Sequence, residues 1–110
     1  MTTVVLPEPL RRYVEAQNRH DSEAMVTCFA PDALVHDEGR DYIGTDAIRT
    51  WNREASAKYR ITLEPLACRV EGDLIVLVAR ISGTFDGSPI TLDHRFRMAP
   101  DGRIANLDIG

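Results

Sequence analysis

Two short stretches carry side chains whose types and spacing could do chemistry. Residues 33–39 read ALVHDEG, an apolar run that ends in the adjacent titratable residues His36 and Asp37, then Glu38 and a glycine. Residues 90–98 read ITLDHRFRM, where Asp93 and His94 again stand side by side. Carboxylates and imidazoles are the common carriers of protons in catalysis, so acid-base work is the chemistry to weigh. Successive strand residues point to opposite faces. Val35 and Asp37 therefore share one face and His36 takes the other. In the second stretch Leu92, His94, Phe96 and Met98 share one face, while Thr91, Asp93, Arg95 and Arg97 share the opposite one. The apolar face belongs inside, which turns His94 inward and Asp93 outward. The same alternation keeps His36, Asp37 and Glu38 from converging on one ion, so no metal site is expected. Gly-rich phosphate loops, dinucleotide fingerprints and a G-x-S-x-G elbow are absent, so no cofactor is expected either.

The elements that must position these residues are legible in outline. Pro7 and Pro9 suit a helix entry, and Leu10, Tyr13, Val14 and Gln17 follow at helical spacing, predicting a helix over 8–19. His20 falls at its end, where a cation meets the helix dipole favourably. Asp21 or Ser22 can cap a short second helix with Met25, Val26 and Phe29 on one face, and Pro31 stops it. A strand over 33–37 and a loop EGRDYIG follow. Thr45 then caps a third helix bearing Ile48, Trp51 and Ala55. From Tyr59 onward ITLEPLACRV, LIVLVARISGTF, ITLDHRFRM and RIANLDI read as four strands, joined at Gly72–Asp73, DGSP and PDG by turn residues. Helices first and an antiparallel meander afterwards define the α+β class.

Composition narrows the partners. The chain has 110 residues, the size of a single domain over 1–110. It is 44 % hydrophobic and 27 % charged, as in ordinary globular proteins. A net charge of -4 with no Lys or Arg cluster argues against nucleic acid. No apolar run approaches the roughly 20 residues that span a bilayer, so no membrane is expected and the cytoplasm is the expected location. Cys28 and Cys68, each among apolar neighbours, read as buried free thiols.

The run LRRYVEAQNRHDSEAMVTCFAPDALVHDEG, followed by GTDAIRTW, resembles the first half of the nuclear transport factor 2-like superfamily, in its SnoaL-like polyketide cyclase and ketosteroid isomerase branch. The strand DHRFRM, the turn DGR and the closing ANLDI continue the likeness, which covers nearly the whole chain. The resemblance implies three helices wrapped by a curved antiparallel sheet into a cone with a pocket inside. In ketosteroid isomerases an aspartate moves a proton beside a carbonyl, while a tyrosine and a protonated aspartic acid hold the oxyanion. The tyrosine falls on Tyr13 and the base on Asp37. The third position falls on Asp93 or His94, depending on where one extra residue is absorbed, and the alternation favours His94. A His–Asp pair resembles the one thought to serve SnoaL-like cyclases.

The resemblance thus implies a cofactor-independent isomerase or cyclase acting on a small apolar carbonyl compound, with Asp37, Tyr13, His94 and Asp93 as its catalytic set. Trp51, Phe96 and Val35 would form apolar walls against the ligand. It also implies a homodimer, for which the polar sheet face with Arg80, Arg95 and Arg97 is available. A second reading keeps the same cone as a non-catalytic ligand-binding or dimerisation module, since this superfamily hosts both.

Overall fold

The computed structural model describes residues 4–110. Helix α1 covers Glu8–Asn18, α2 Ser22–Thr27 and α3 Thr45–Tyr59; the strands are β1 Phe29–Asp37, β2 Arg40–Ile43, β3 Thr62–Glu71, β4 Leu74–Ser82, β5 Ile90–Met98 and β6 Ile104–Ile109. The architecture is mixed α+β: a curved six-stranded sheet in the order β2-β1-β6-β5-β4-β3, whose edge strands do not pair to close it. No helix among the described residues is long and apolar enough to cross a membrane.

Each helix buries the stripe its sequence spells. On α1, Leu10, Tyr13, Val14 and Gln17 are buried, the i, i+3, i+4, i+7 pattern of one face. Its C-terminal end is tied to β3 by Asn18, whose Nδ2 donates to the Leu63 carbonyl at 2.9 Å while its Oδ1 accepts from the Leu63 amide at 2.7 Å. Asp21 caps α2 by accepting from the Ala24 amide at 3.0 Å, which satisfies an otherwise orphaned first-turn donor. Helix α3 starts differently from the expectation. Gly44, not Thr45, is the N-cap, with φ 88°, and no side chain caps the end. Only glycine occupies that backbone region without strain.

Three further expectations change. The stretch EGRDYIG is not a loop: β2 pairs antiparallel with β1 through Asp37↔Arg40, His36↔Asp41, Val35↔Tyr42 and Leu34↔Ile43. The two-residue turn between them puts Glu38 at φ 53° and Gly39 at φ 74°; two positive φ angles match the twist of a tight hairpin. Phe29 belongs to β1 rather than α2, so Pro31 lies inside a strand that is irregular between Phe29 and Leu34. Nor is the sheet wholly antiparallel. β1 runs parallel to β6, with Val35 opposite Leu107, and this pairing joins the N-terminal hairpin to the meander. Two helices precede β1, while α3 follows the hairpin and packs on β1 and β2.

The core fills the space between the helices and the inner sheet face, with Leu10, Tyr13, Met25, Val35, Ile48, Leu77, Phe96, Ile104 and Leu107 at its centre. Cys28 is buried, Cys68 half-buried, and both are free.

Candidate active site

At one end the core does not close. A cavity of about 820 Å³ opens there, within the ordinary range for small-molecule sites. Tyr13 and Gln17 of α1, Asp37 of β1, Trp51 and Asn52 of α3 and His94 of β5 line it. Tyr13, Gln17, Asn52 and His94 are buried, and mark its closed end. Glu54, Lys58 and Asp86 line it as exposed residues and mark its mouth.

Asp37 is the last residue of β1 and half-buried. The Trp51 indole nitrogen donates to its Oδ2 at 3.0 Å. Burial raises the Asp37 pKa above the usual carboxylate value, and the Trp51 hydrogen bond pulls it partly back. Trp51 was expected to pack or to contact a ligand; its indole ring does lie 6.1 Å from Tyr42, but its N–H also holds the carboxylate. A hydrogen bond between residues of a strand end and a helix leaves no mark in local periodicity.

Tyr13 is fully enclosed, and its ring meets Phe96 at 5.3 Å, Phe29 at 6.1 Å and His94 at 6.4 Å in edge-on contacts. These fix its orientation. Burial, and then the charge of Asp37, hold the hydroxyl far above the ordinary tyrosine pKa, so it stays a hydrogen-bond donor. The Asp37 contribution also means that the two groups feel one another electrostatically.

His94 is buried at 2 % exposure and stacks on Phe96 at 6.4 Å. Burial lowers its pKa to about 4, against a smaller upward pull from the Leu92 backbone and Asp93. The ring is therefore neutral at neutral pH, and its Nδ1 is buried without a partner among the described residues.

The remaining expected site residues lie elsewhere. Asp93 faces the opposite side of β5, where Arg95 Nη2 lies 3.4 Å from its Oδ2; strand alternation separates it from the cavity that His94 lines. Val35 and Phe96 are fully buried but do not line the cavity. Phe96 instead braces Tyr13 and His94, which do line it. His36 points away from Asp37 and meets Asp41 of β2, Nδ1 to Oδ1 at 2.5 Å, a bond that raises its pKa. Gln17 and Asn52 join the cavity wall from outside the set that the sequence nominates. Gln17 reads as one more position of the α1 stripe, and its polar end was the signal that could have found it.

A family match and similar solved structures place the chain in the nuclear transport factor 2-like superfamily. Within it the chain belongs to the SnoaL-like domain family, whose model matches residues 10–107. A candidate polyketide cyclase from Sinorhizobium meliloti is 41 % identical, with a TM-score of 0.91 over 96 % of this chain and 95 % of that one. A Catenulispora acidiphila protein with a ketosteroid isomerase-like fold, solved with trimethylamine, is 19 % identical, with a TM-score of 0.83 over 96 % of this chain and 86 % of its own. The orange carotenoid protein of Anabaena, solved with canthaxanthin, shares 19 % identity, with a TM-score of 0.83 over 99 % of this chain and 37 % of its own. These last two show the fold alone. A comparison with curated proteins found no match.

Proposed function

We propose that the cavity binds a small apolar carbonyl compound and that Asp37 moves a proton on it without a cofactor, as an isomerase or cyclase. The observation that carries this reading is the half-buried Asp37 carboxylate, held by Trp51 with its pKa raised, on the wall of the cavity that also receives Tyr13 and His94. A base is most effective when its pKa approaches the working pH, and partial burial moves Asp37 in that direction.

In this mechanism the carboxylate takes a proton from the carbon beside the carbonyl. The bonding pair moves into the new carbon–carbon double bond, and the carbonyl electrons move onto oxygen. Tyr13, which stays protonated, and the neutral His94 ring supply donors to that oxygen in a site shielded from water. Where the substrate carries a β,γ double bond the product of this step is a dienolate, and Asp37, now a carboxylic acid, returns the proton to its γ carbon, giving the conjugated isomer. Alternatively the enolate carbon attacks another carbonyl carbon of the same molecule, giving a ring, and the resulting alkoxide takes the proton. Both routes balance without an oxidant or reductant.

The reading extends to a cytoplasmic homodimer joined through the outer sheet face. Light scattering tests the assembly, and a monomeric mass contradicts it. The rival reading is a ligand-binding module without turnover. The size of the cavity counts against a purely structural role, but not against binding alone.

The test of catalysis is hydrogen exchange at the carbons beside the carbonyl of bicyclic ketones in deuterated water, followed by NMR. The wild type is expected to accelerate exchange, and Asp37→Asn to lose roughly 10²–10⁴-fold, the usual worth of a positioned base. Equal exchange by the two proteins removes Asp37 from the reaction. Ketone binding with no exchange above solvent favours the binding module.

A further inference from the structure

Three buried side chains form a hydrogen-bonded chain that the proton-transfer reading does not use. Ser22 Oγ donates to Asn52 Oδ1 at 2.8 Å, and Asn52 Nδ2 donates to Gln17 Oε1 at 2.9 Å. All three residues are buried, and they come from α2, α3 and α1. The chain has a direction. Asn52 takes a hydrogen bond at its oxygen and gives one from its nitrogen, and Gln17 takes that one at its oxygen, so the series ends on Gln17 Nε2. That nitrogen is buried with no partner among the described residues. Gln17 itself is 5 % exposed and lies on the cavity wall with Tyr13 and His94.

A buried donor without an acceptor costs stability, and folded proteins rarely keep one. A leucine or methionine at this place would fill the α1 stripe without that cost. Tyr13 and Gln17 are four residues apart on α1, so they lie on one face with an axial separation of about 6 Å. Both residues line the cavity, so one helix brings two side chains with donor groups to its wall, one turn apart.

We propose that Gln17 is a ligand-binding residue whose amide nitrogen donates to a second oxygen of the ligand, so that the cavity selects compounds carrying two carbonyl-type oxygens about one helical turn apart. Tyr13 takes one oxygen and Gln17 the other. Asn52 and Ser22 are positioning residues: Ser22 holds the Asn52 oxygen, and Asn52 donates to the Gln17 oxygen, which leaves the Gln17 nitrogen free for the ligand. The proposal shares the cavity with the proton-transfer reading but needs no proton transfer.

The experiment compares wild-type affinities, by protein-observed NMR titration, for trans-decalone, for the decalindione whose carbonyls face each other across one ring, and for the matching keto alcohol. The diketone is expected to bind five- to tenfold more tightly than decalone, roughly the worth of one ordinary hydrogen bond. Equal affinities overturn the proposal. Preference for the keto alcohol over the diketone also overturns it, because Gln17 would then be presenting its oxygen. Gln17→Met keeps the bulk and removes the donor; it should bring the two ketones to equal affinity. Where that variant does not fold, the wild-type ratio decides alone. Ser22→Ala releases Asn52 and should narrow the ratio with decalone binding unchanged; an unchanged ratio removes Ser22 from the proposal. Asp37→Asn should keep the diketone preference while losing exchange. A persistent preference without any wild-type exchange thus sinks the proton-transfer reading and leaves Gln17 standing, and the opposite pattern does the reverse.

Discussion

Along β5, Asp93 and His94 are adjacent in sequence and live under opposite physical rules. On the outer face, Asp93 meets Arg95 at 3.4 Å, and neighbouring pairs join Arg97 to Asp73 at 3.0 Å and Arg80 to Glu64 at 3.2 Å. Every one of these charges keeps contact with water, and such pairs contribute little to stability. On the inner face, polar groups are few and incompletely satisfied. His94 Nδ1 and Gln17 Nε2 lack partners among the described residues, and burial works against the charge on Asp37. The outer face is polar because it is wet. The inner face is polar where packing alone would favour apolar side chains, and that mismatch is what marks a site.

Substitutions along β5 and around the cavity can break this contrast. The largest expected effect is on packing: Phe96→Ala, which removes the ring bracing Tyr13 and His94, should cost about 3–5 kcal/mol in urea unfolding. A loss comparable to that of an exposed substitution contradicts the buried inner face.

The next concerns His94 and pH. Its folded pKa of about 4 lies below the ordinary 6.5. Between those values the unfolded chain binds a proton that the folded chain refuses, so stability falls as the pH falls through this window. The wild type should lose about 3 kcal/mol more than His94→Leu between pH 6.5 and 4. Comparison of the two proteins cancels the opposing contribution of Asp37, whose raised pKa favours folding as the pH falls. Parallel stability curves contradict a buried neutral imidazole.

A smaller effect is expected at Trp51. Trp51→Phe keeps an aromatic ring but removes the indole donor, and the Asp37 pKa should move further upward in a carboxyl-carbon NMR titration. No movement means that the hydrogen bond does not hold the charge. The smallest effect lies on the outer face, where Arg97→Ala should leave the urea midpoint unchanged within error.

Much of the fold was legible because it is written in local periodicity. The α1 stripe, a cap for α2 at Asp21 or Ser22 and the strand alternation that turns His94 inward and Asp93 outward all depend on residues a few positions apart. The β1–β2 hairpin was missed because Glu38 is an uncommon residue for the positive φ that a tight turn needs. The start of β1 was missed because Pro31 more often ends an element than lies within one. The parallel β1–β6 pairing was beyond reach, since it joins Val35 to Leu107 and no local pattern encodes such a partner.

For the site, sequence alone determined which residue types are available and which face of its element each occupies: Tyr13 on the α1 stripe, Asp37 beside Val35 and opposite His36, His94 on the apolar side of β5. Only the tertiary structure decided what surrounds them. It placed Trp51 on Asp37, kept Val35 and Phe96 off the cavity wall, and ran Ser22 and Asn52 to Gln17. The physical reason is that facing follows from backbone geometry, which repeats every two or 3.6 residues. Burial and hydrogen-bond partners depend on elements far apart in the chain.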